Sequence, residues 1–352
     1  MRSAAGKYEF ETGVYRPPSE GGSNSLLVRL TRNCPWNRCT FCGMYKTETF
    51  QVRSVAEIKQ DIDAMAAVRD DLSALSRSLG QNGEISHHAA MALIEKNPEL
   101  NHHQGFAMLY HWLLSGGKTV FLQDANSLIM KTDQLVEVLA YLRSTFPSIV
   151  RVTTYARSKT LVQKSLDDLK AIRRAGLDRL HVGLESGDDT VLKKIQKGVT
   201  AEIHINGGRK ALAAGFQLSE YWMPGLGGKT LWQDHASNTA RVLSEIDPHY
   251  IRSRPFRVWP GTPMANEMEA GTFEMLTPGE QLRELRLTMK ELSVTGRVCF
   301  DHAGNNWKKA QGRLLFSHSY EGYKFPEEKQ TVLDLIDEGL KAGDRPAHPV
   351  RF

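Results

Sequence analysis

Three of the four cysteines fall within nine residues, in the run Cys34–Pro35–Trp36–Asn37–Arg38–Cys39–Thr40–Phe41–Cys42. Four cysteines in 352 residues make no disulfide framework, and clustering of this kind points to metal binding or catalysis. Thiolates hold iron–sulfur clusters, and a short loop lets three of them converge on one face of a cubane. Three ligands for four irons leave one iron open, which is what chemistry at a metal requires. Two closed sites compete with that reading. Plant-type [2Fe–2S] ferredoxins share the C-x4-C-x2-C spacing and add a fourth cysteine, here Cys299; a structural zinc would take Cys299 or a histidine. Three merely buried cysteines would not need such tight spacing.

The loop needs elements to hold it. Residues 25–31 read as a buried strand running straight into it, and a helix follows from about Val55, with Ile58, Ile62, Met65 and Val68 at helical spacing. Further strands are expected at 118–123, 149–154, 179–184, 217–223 and 249–258. Helices are expected at 133–142, 165–175, 189–195, 205–214, 232–245 and 278–293. This alternation predicts an α/β fold of parallel strands with crossover helices, either a partial barrel or an open twisted sheet. Reactive loops then gather at the C-terminal ends of the strands. The cysteine loop, Asp124–Ala125–Asn126 and Glu185 all stand at such ends.

Between the first helix and the second strand, residues 70–116 exceed a usual connection. They carry helical pieces at 89–95 and 106–114 and five histidines, His87, His88, His102, His103 and His111. The paired histidines lack ligand-spaced partners, so a helical insertion is expected rather than a metal site. Beyond Gly296 an aromatic-rich tail holds Trp307, Phe316, Tyr320, Tyr323 and Phe325, with a last helix at 327–340.

Composition narrows the class. Hydrophobic residues make up 41% and charged residues 24%, which excludes a mostly disordered chain. No apolar run approaches the ~20 residues of a membrane helix. Residues 1–15 are polar, unlike a secretory signal, so a cytoplasmic protein without membrane attachment is expected. The net charge of +5 is spread over interspersed basic and acidic residues, so nucleic acid is not the expected partner.

The run Leu30–Thr31–Arg32–Asn33–Cys34 through Cys39–Thr40–Phe41–Cys42–Gly43–Met44 resembles the cluster loop of radical S-adenosylmethionine (radical SAM) enzymes. An aromatic residue before the third cysteine is typical of that superfamily; four residues between the first two cysteines, where most members have three, is a variant. The resemblance covers about 25–303. It is nearest to the branch of oxygen-independent coproporphyrinogen III oxidase, the methylthiotransferases and the Elongator catalytic subunit. It implies a partial (β/α)6 TIM-like barrel over 25–303 with a helical insertion at about 70–116. Residues 1–24 would be an N-terminal extension, and 304–352 a C-terminal extension serving as a lid.

The resemblance also implies a [4Fe–4S] cluster on Cys34, Cys39 and Cys42, with S-adenosylmethionine chelating the open iron. Reduction would cleave it to a 5′-deoxyadenosyl radical acting on a small molecule or peptide. Asp124 and Asn126 match the place where the family positions the methionyl amino group. In His181–Val182–Gly183–Leu184–Glu185, the carboxylate of Glu185 matches the ribose contact, and Lys197 matches the basic partner of the methionyl carboxylate. Glu220 matches a second acidic ribose position. Gly225 lies in the glycine-rich turn after it, Gly261 in the Gly-Thr-Pro ending near the adenine, and Arg157 after the third strand as a further polar contact. A reductant such as flavodoxin or ferredoxin would supply the electron. An RNA-modifying radical enzyme and a non-catalytic electron carrier or cluster scaffold are the alternatives.

Overall fold

The computed structural model describes residues 4–13, 25–309 and 311–342. The chain divides into two compact units: Met1–Pro35, Thr49–Tyr155 and Asp167–Arg179 make the first, and Trp36–Glu48, Ala156–Leu166 and Leu180–Phe352 the second.

In the first unit the strand Ser25–Arg29 lies parallel to Thr119–Gln123, with Ser25 opposite Thr119 and Arg29 opposite Gln123. Thr119–Gln123 is in turn parallel to Arg151–Ala156. The apolar runs inside these strands, such as Leu26–Leu27–Val28, are buried, as a doubly covered parallel strand requires. The helix Val55–Ser78 starts at a capping box: the Ser54 hydroxyl accepts from Glu57 N–H, and the Glu57 carboxylate accepts from Ser54 N–H. Such a cap stabilises a helix by about 1 kcal/mol. The helix runs on past Asp70 because its apolar stripe continues through Leu72; the irregular segment is therefore shorter than 70–116. The expected helical pieces are present as His87–Lys96 and Gln104–Leu114. His103 caps the second of these, its Nδ1 accepting from Phe106 N–H at 3.0 Å, and its ring packs on Phe10.

In the second unit the strands run in the order Arg179–Glu185, Gln217–Trp222, Tyr250–Ser253, Arg297–Cys299, Tyr323–Lys324. Gln217–Trp222, Tyr250–Ser253 and Arg297–Cys299 are parallel, and Tyr323–Lys324 closes the edge antiparallel to Arg297–Cys299. The strand expected at 249–258 stops at Ser253. Pro255 has no N–H for a ladder and pushes the chain out of the sheet. The last two strands are too short to show in the sequence. The aromatic tail is largely core: Phe316 stacks on Phe300 at 4.0 Å, Trp307 meets Phe316 edge-on, and Phe325 is fully buried. A second apolar cluster joins Val191, Leu192, Ile195, Leu226, Phe256, Met264 and Phe273. Among the described residues no helix is long and apolar enough to cross a membrane.

Candidate active site

In the first unit, Asp124 stands just past the strand Thr119–Gln123, with its side chain almost completely buried. Its Oδ2 accepts from Arg29 Nε (2.9 Å), from Arg29 Nη2 (2.7 Å) and from the backbone N–H of Asn33 (3.0 Å). Asn33 has a left-handed backbone (φ +67°) and immediately precedes Cys34. Asp124 thus fixes the entry of the cysteine loop. Arg29 and Arg32 share Glu11; against the opposing effect of burial, the Arg32 hydrogen bond and the charges of Arg53, Arg32 and Arg29 hold it below the usual carboxylate range. Asn126 is buried and opens the single turn Ser127–Ile129.

In the second unit the rest of the cysteine loop is stitched to the segment 195–197. Thr40 N–H donates to Ile195 O (3.0 Å), and Trp36 Nε1 donates to Gln196 O (2.7 Å). The Cys42 N–H points back to Cys39 O, so these two cysteines share one turn. Arg157 donates to Lys197 O (2.7 Å) and lies over the Trp36 ring, with Arg38 and Lys159 also near that indole. Lys197 Nζ meets Glu185 Oε1 at 2.8 Å, both side chains being mostly buried. Burial alone would lower Lys197, but Glu185 and Cys39 hold it above its ordinary value. Burial raises the Cys39 thiol, with Lys197 pulling the other way.

The local sequence explains the pair. Glu185 ends its strand in the left-handed region (φ +64°), which costs a residue with a Cβ roughly 1–2 kcal/mol and is found where surroundings enforce it. A Cβ on Gly183 would lie 2.3 Å from Glu185 Oε1 and 3.0 Å from Lys197 Nζ, so glycine there makes room for the ion pair. Beside this pair, Glu220 is wholly buried, and neither of its oxygens has a hydrogen-bond partner. Burial, then the charge of Glu185, raises its carboxyl well above the ordinary value. A buried polar group left unsatisfied is costly, and its place beside two charged groups suits a hydroxyl- or amine-bearing ligand.

A layer not anticipated from the sequence supports these loops. Glu284 Oε2 accepts from Gly225 N–H at 2.7 Å, where Gly225 turns the chain with φ +90°. His235 lies between Glu284 (3.3 Å) and the Met223 carbonyl (3.1 Å) on one side and Ser186 Oγ (2.9 Å) on the other. A carbonyl only accepts, so Nε2 carries the proton and Nδ1 accepts from Ser186. Asn238, from the same helix Gly228–Ile246, holds Asp188, which caps the helix Asp189–Lys194. Burial pushes Glu284 up to about 8 and His235 down to about 4.

The signs of these two shifts oppose each other. From pH 4 to 6.5 the unfolded histidine binds a proton that the folded one refuses, so stability rises with pH. From pH 4.5 to 8 the folded Glu284 keeps a proton the unfolded one has lost, so stability falls. The slopes cancel up to pH 6.5, and a loss of about 2 kcal/mol remains between pH 6.5 and 8. Glu284→Gln keeps an acceptor for Gly225 and is expected to remove that loss. Thermal melts across this interval check it; equal pH slopes in both proteins contradict it.

Among the described residues, no three or more His, Cys, Asp or Glu side chains form a group that could hold a metal ion. Cys34 belongs to the first unit, Cys39 and Cys42 to the second, and none of the four cysteines is in a disulfide. Cys299 is fully buried, and burial pushes its thiol up to about 12. Gly261 is an exposed turn residue (φ +75°) ahead of Thr262, which caps the helix Pro263–Glu269.

Residues 109–237 match the radical SAM superfamily profile. The Bacillus subtilis heme chaperone HemW is 26% identical over 182 residues, 51% of this chain and 47% of that protein. The 4′-phospho-dehydrooxetanocin synthase of Priestia megaterium is 24% identical over 233 residues, 63% of this chain and 27% of that protein. The chain therefore spans about half, or less, of the length of these curated relatives. Among solved structures, methylornithine synthase (PylB) aligns at TM-score 0.48 with 15% identity, covering 86% of this chain and 72% of that one. Coproporphyrinogen III oxidase (HemN) from Escherichia coli aligns at TM-score 0.41 with 17% identity, over 49% and 39%. The fold is α/β with mostly parallel strands, and over residues 109–237 the chain is similar to the radical SAM superfamily. The profile match begins after the cysteine loop, within the last helix of the helical insertion, so it speaks to the strands carrying Glu185 and Glu220 rather than to the thiols.

Proposed function

We propose that this chain is an enzyme holding a [4Fe–4S] cluster on Cys34, Cys39 and Cys42 and binding S-adenosylmethionine at the open iron. When bound, that pair supplies reductive cleavage to a 5′-deoxyadenosyl radical able to take hydrogen from a small-molecule or peptide substrate. The electron would come from an external one-electron donor of the flavodoxin or ferredoxin kind. The observation that carries the reading is Glu220: a fully buried carboxyl, both oxygens unbonded, beside the Glu185–Lys197 pair.

The residues fit the cosubstrate. A vicinal diol offers two hydroxyl donors, and Glu185 and Glu220 present carboxyl oxygens to receive them. Lys197 has three donor hydrogens and uses one on Glu185, leaving two for a carboxylate. Asp124 positions the start of the loop through its bonds to Arg29 and Asn33.

The test is anaerobic reconstitution with iron and sulfide, followed by S-adenosylmethionine and a strong reductant. Release of 5′-deoxyadenosine is expected from the wild type, and none from it would overturn the reading. Glu185→Ala is expected to weaken S-adenosylmethionine binding by roughly 1.5–3 kcal/mol, the worth of a charged hydrogen bond. Equilibrium dialysis checks this, and unchanged affinity would remove Glu185 from the pocket.

A further inference from the structure

Past the strand Tyr250–Ser253, residues 255–258 line a cavity of about 420 Å³ in the second unit. Met268 reaches it from the helix Pro263–Glu269, Met275 and Leu276 from the segment that follows, Gln281 from the helix Pro278–Glu291, and Asn306 and Trp307 from the aromatic tail. That volume falls within the ~300–1,000 Å³ of small-molecule sites. The indole N–H of Trp307 donates to the Pro278 carbonyl at 3.2 Å, so the ring has only carbon left to offer a ligand. Thioethers such as those of the two methionines adapt to irregular apolar shapes.

The polar lining is sparse and unengaged. The side chains of Arg257, Gln281 and Asn306 make no hydrogen bond or ion pair with another described residue. Among the described residues lining the cavity none is acidic. Three carboxylates of the adjoining segments are committed elsewhere: Asp301 to Arg252 and Arg254, Glu280 to the Thr277 N–H, and Glu274 to Lys229. Arg257, half-buried, therefore brings one positive charge to walls that are otherwise neutral. Burial, then the charge of Arg254, with a smaller push from Arg257, lowers His302 to about 4, so this histidine adds no second cation at neutral pH. A single guanidinium matches a single carboxylate, and two amides can donate or accept beside it. A phosphoryl dianion would keep one charge uncompensated.

We propose that this cavity binds a small organic monocarboxylate, its anion at Arg257 and its apolar body against Met268, Met275, Leu276 and Trp307. The cavity adjoins the loops already described. A Cβ on Gly225 would lie 3.0 Å from Gln281 Nε2, and Glu284 of the same helix holds the Gly225 N–H. Gly225 belongs to the turn after Gln217–Trp222, the strand that carries Glu220. The inference goes beyond the proposed reaction. Binding of this kind needs neither iron nor S-adenosylmethionine, so its failure and the failure of that reading are separate results.

The experiment is calorimetric titration of the full chain, with no iron added, using sodium octanoate and, in parallel, octanol and sodium acetate. Octanoate carries both charge and apolar body, octanol only the body, acetate only the charge. Saturable one-site binding of octanoate is expected, at least about tenfold tighter than either of the others. Arg257→Gln should weaken octanoate at least about tenfold and leave octanol unchanged. Arg257→Lys should weaken it less, because charge remains while the fork is lost. Met268→Glu sets a like charge in the wall and should weaken octanoate as well, whereas Arg241→Gln, in a surface pair with Glu245, should change nothing. Should Arg257→Gln fail to fold by circular dichroism, Arg257→Lys and Met268→Glu carry the comparison. No saturable octanoate binding, octanol bound as tightly as octanoate, or octanoate affinity unchanged in the folded Arg257 and Met268 variants overturns the proposal.

Discussion

Cys39→Ala is expected to retain roughly a tenth or less of the wild-type iron after anaerobic reconstitution, and Cys34→Ala and Cys42→Ala to behave alike. Losing one of three thiolates would leave two of four irons without a protein ligand, and the turn joining Cys39 to Cys42 cannot supply a substitute. Cys299→Ala is expected to keep the iron. Its thiol is fully buried, held protonated at neutral pH by burial, and packs close to Gly322. Iron and sulfide analysis of the four variants decides between an open three-thiolate cluster and a closed site using Cys299. Iron loss in Cys299→Ala equal to that in Cys39→Ala would favour the closed site.

Lys197→Met is expected to have the second largest effect. It leaves Glu185 mostly buried, without its counterion and beside Glu220; breaking a buried pair by removing one partner costs roughly 3–5 kcal/mol. Thermal or denaturant unfolding reads that loss directly. The double variant Lys197→Met with Glu185→Gln should recover much of the stability, because no uncompensated charge then remains, yet not the affinity for S-adenosylmethionine. Recovery of both would mean that the pair serves only the fold.

Much of this was legible in the sequence, for identifiable reasons. The strands Thr119–Gln123 and Arg179–Glu185 announce themselves as short apolar runs bounded by polar turns, and the helix Val55–Ser78 by its stripe and capping box. The resemblance assigns Glu185 and Lys197 to two different parts of a cosubstrate, and the folded chain also pairs them with each other. Twelve residues of separation hide that contact. His235 and Glu284 were invisible because each sits in the buried stripe of an otherwise ordinary helix, where a sequence shows only an amphipathic pattern. The clue available was a histidine and a glutamate at positions whose helical neighbours are apolar.

The most direct test of the central claim is electron paramagnetic resonance of the reduced, reconstituted protein, recorded without and then with S-adenosylmethionine. A [4Fe–4S]⁺ signal whose g-values shift when the sulfonium is added is the expected result, because an iron lacking a protein ligand receives it. A signal indifferent to S-adenosylmethionine, or a site that binds zinc and forms no cluster, would contradict the account.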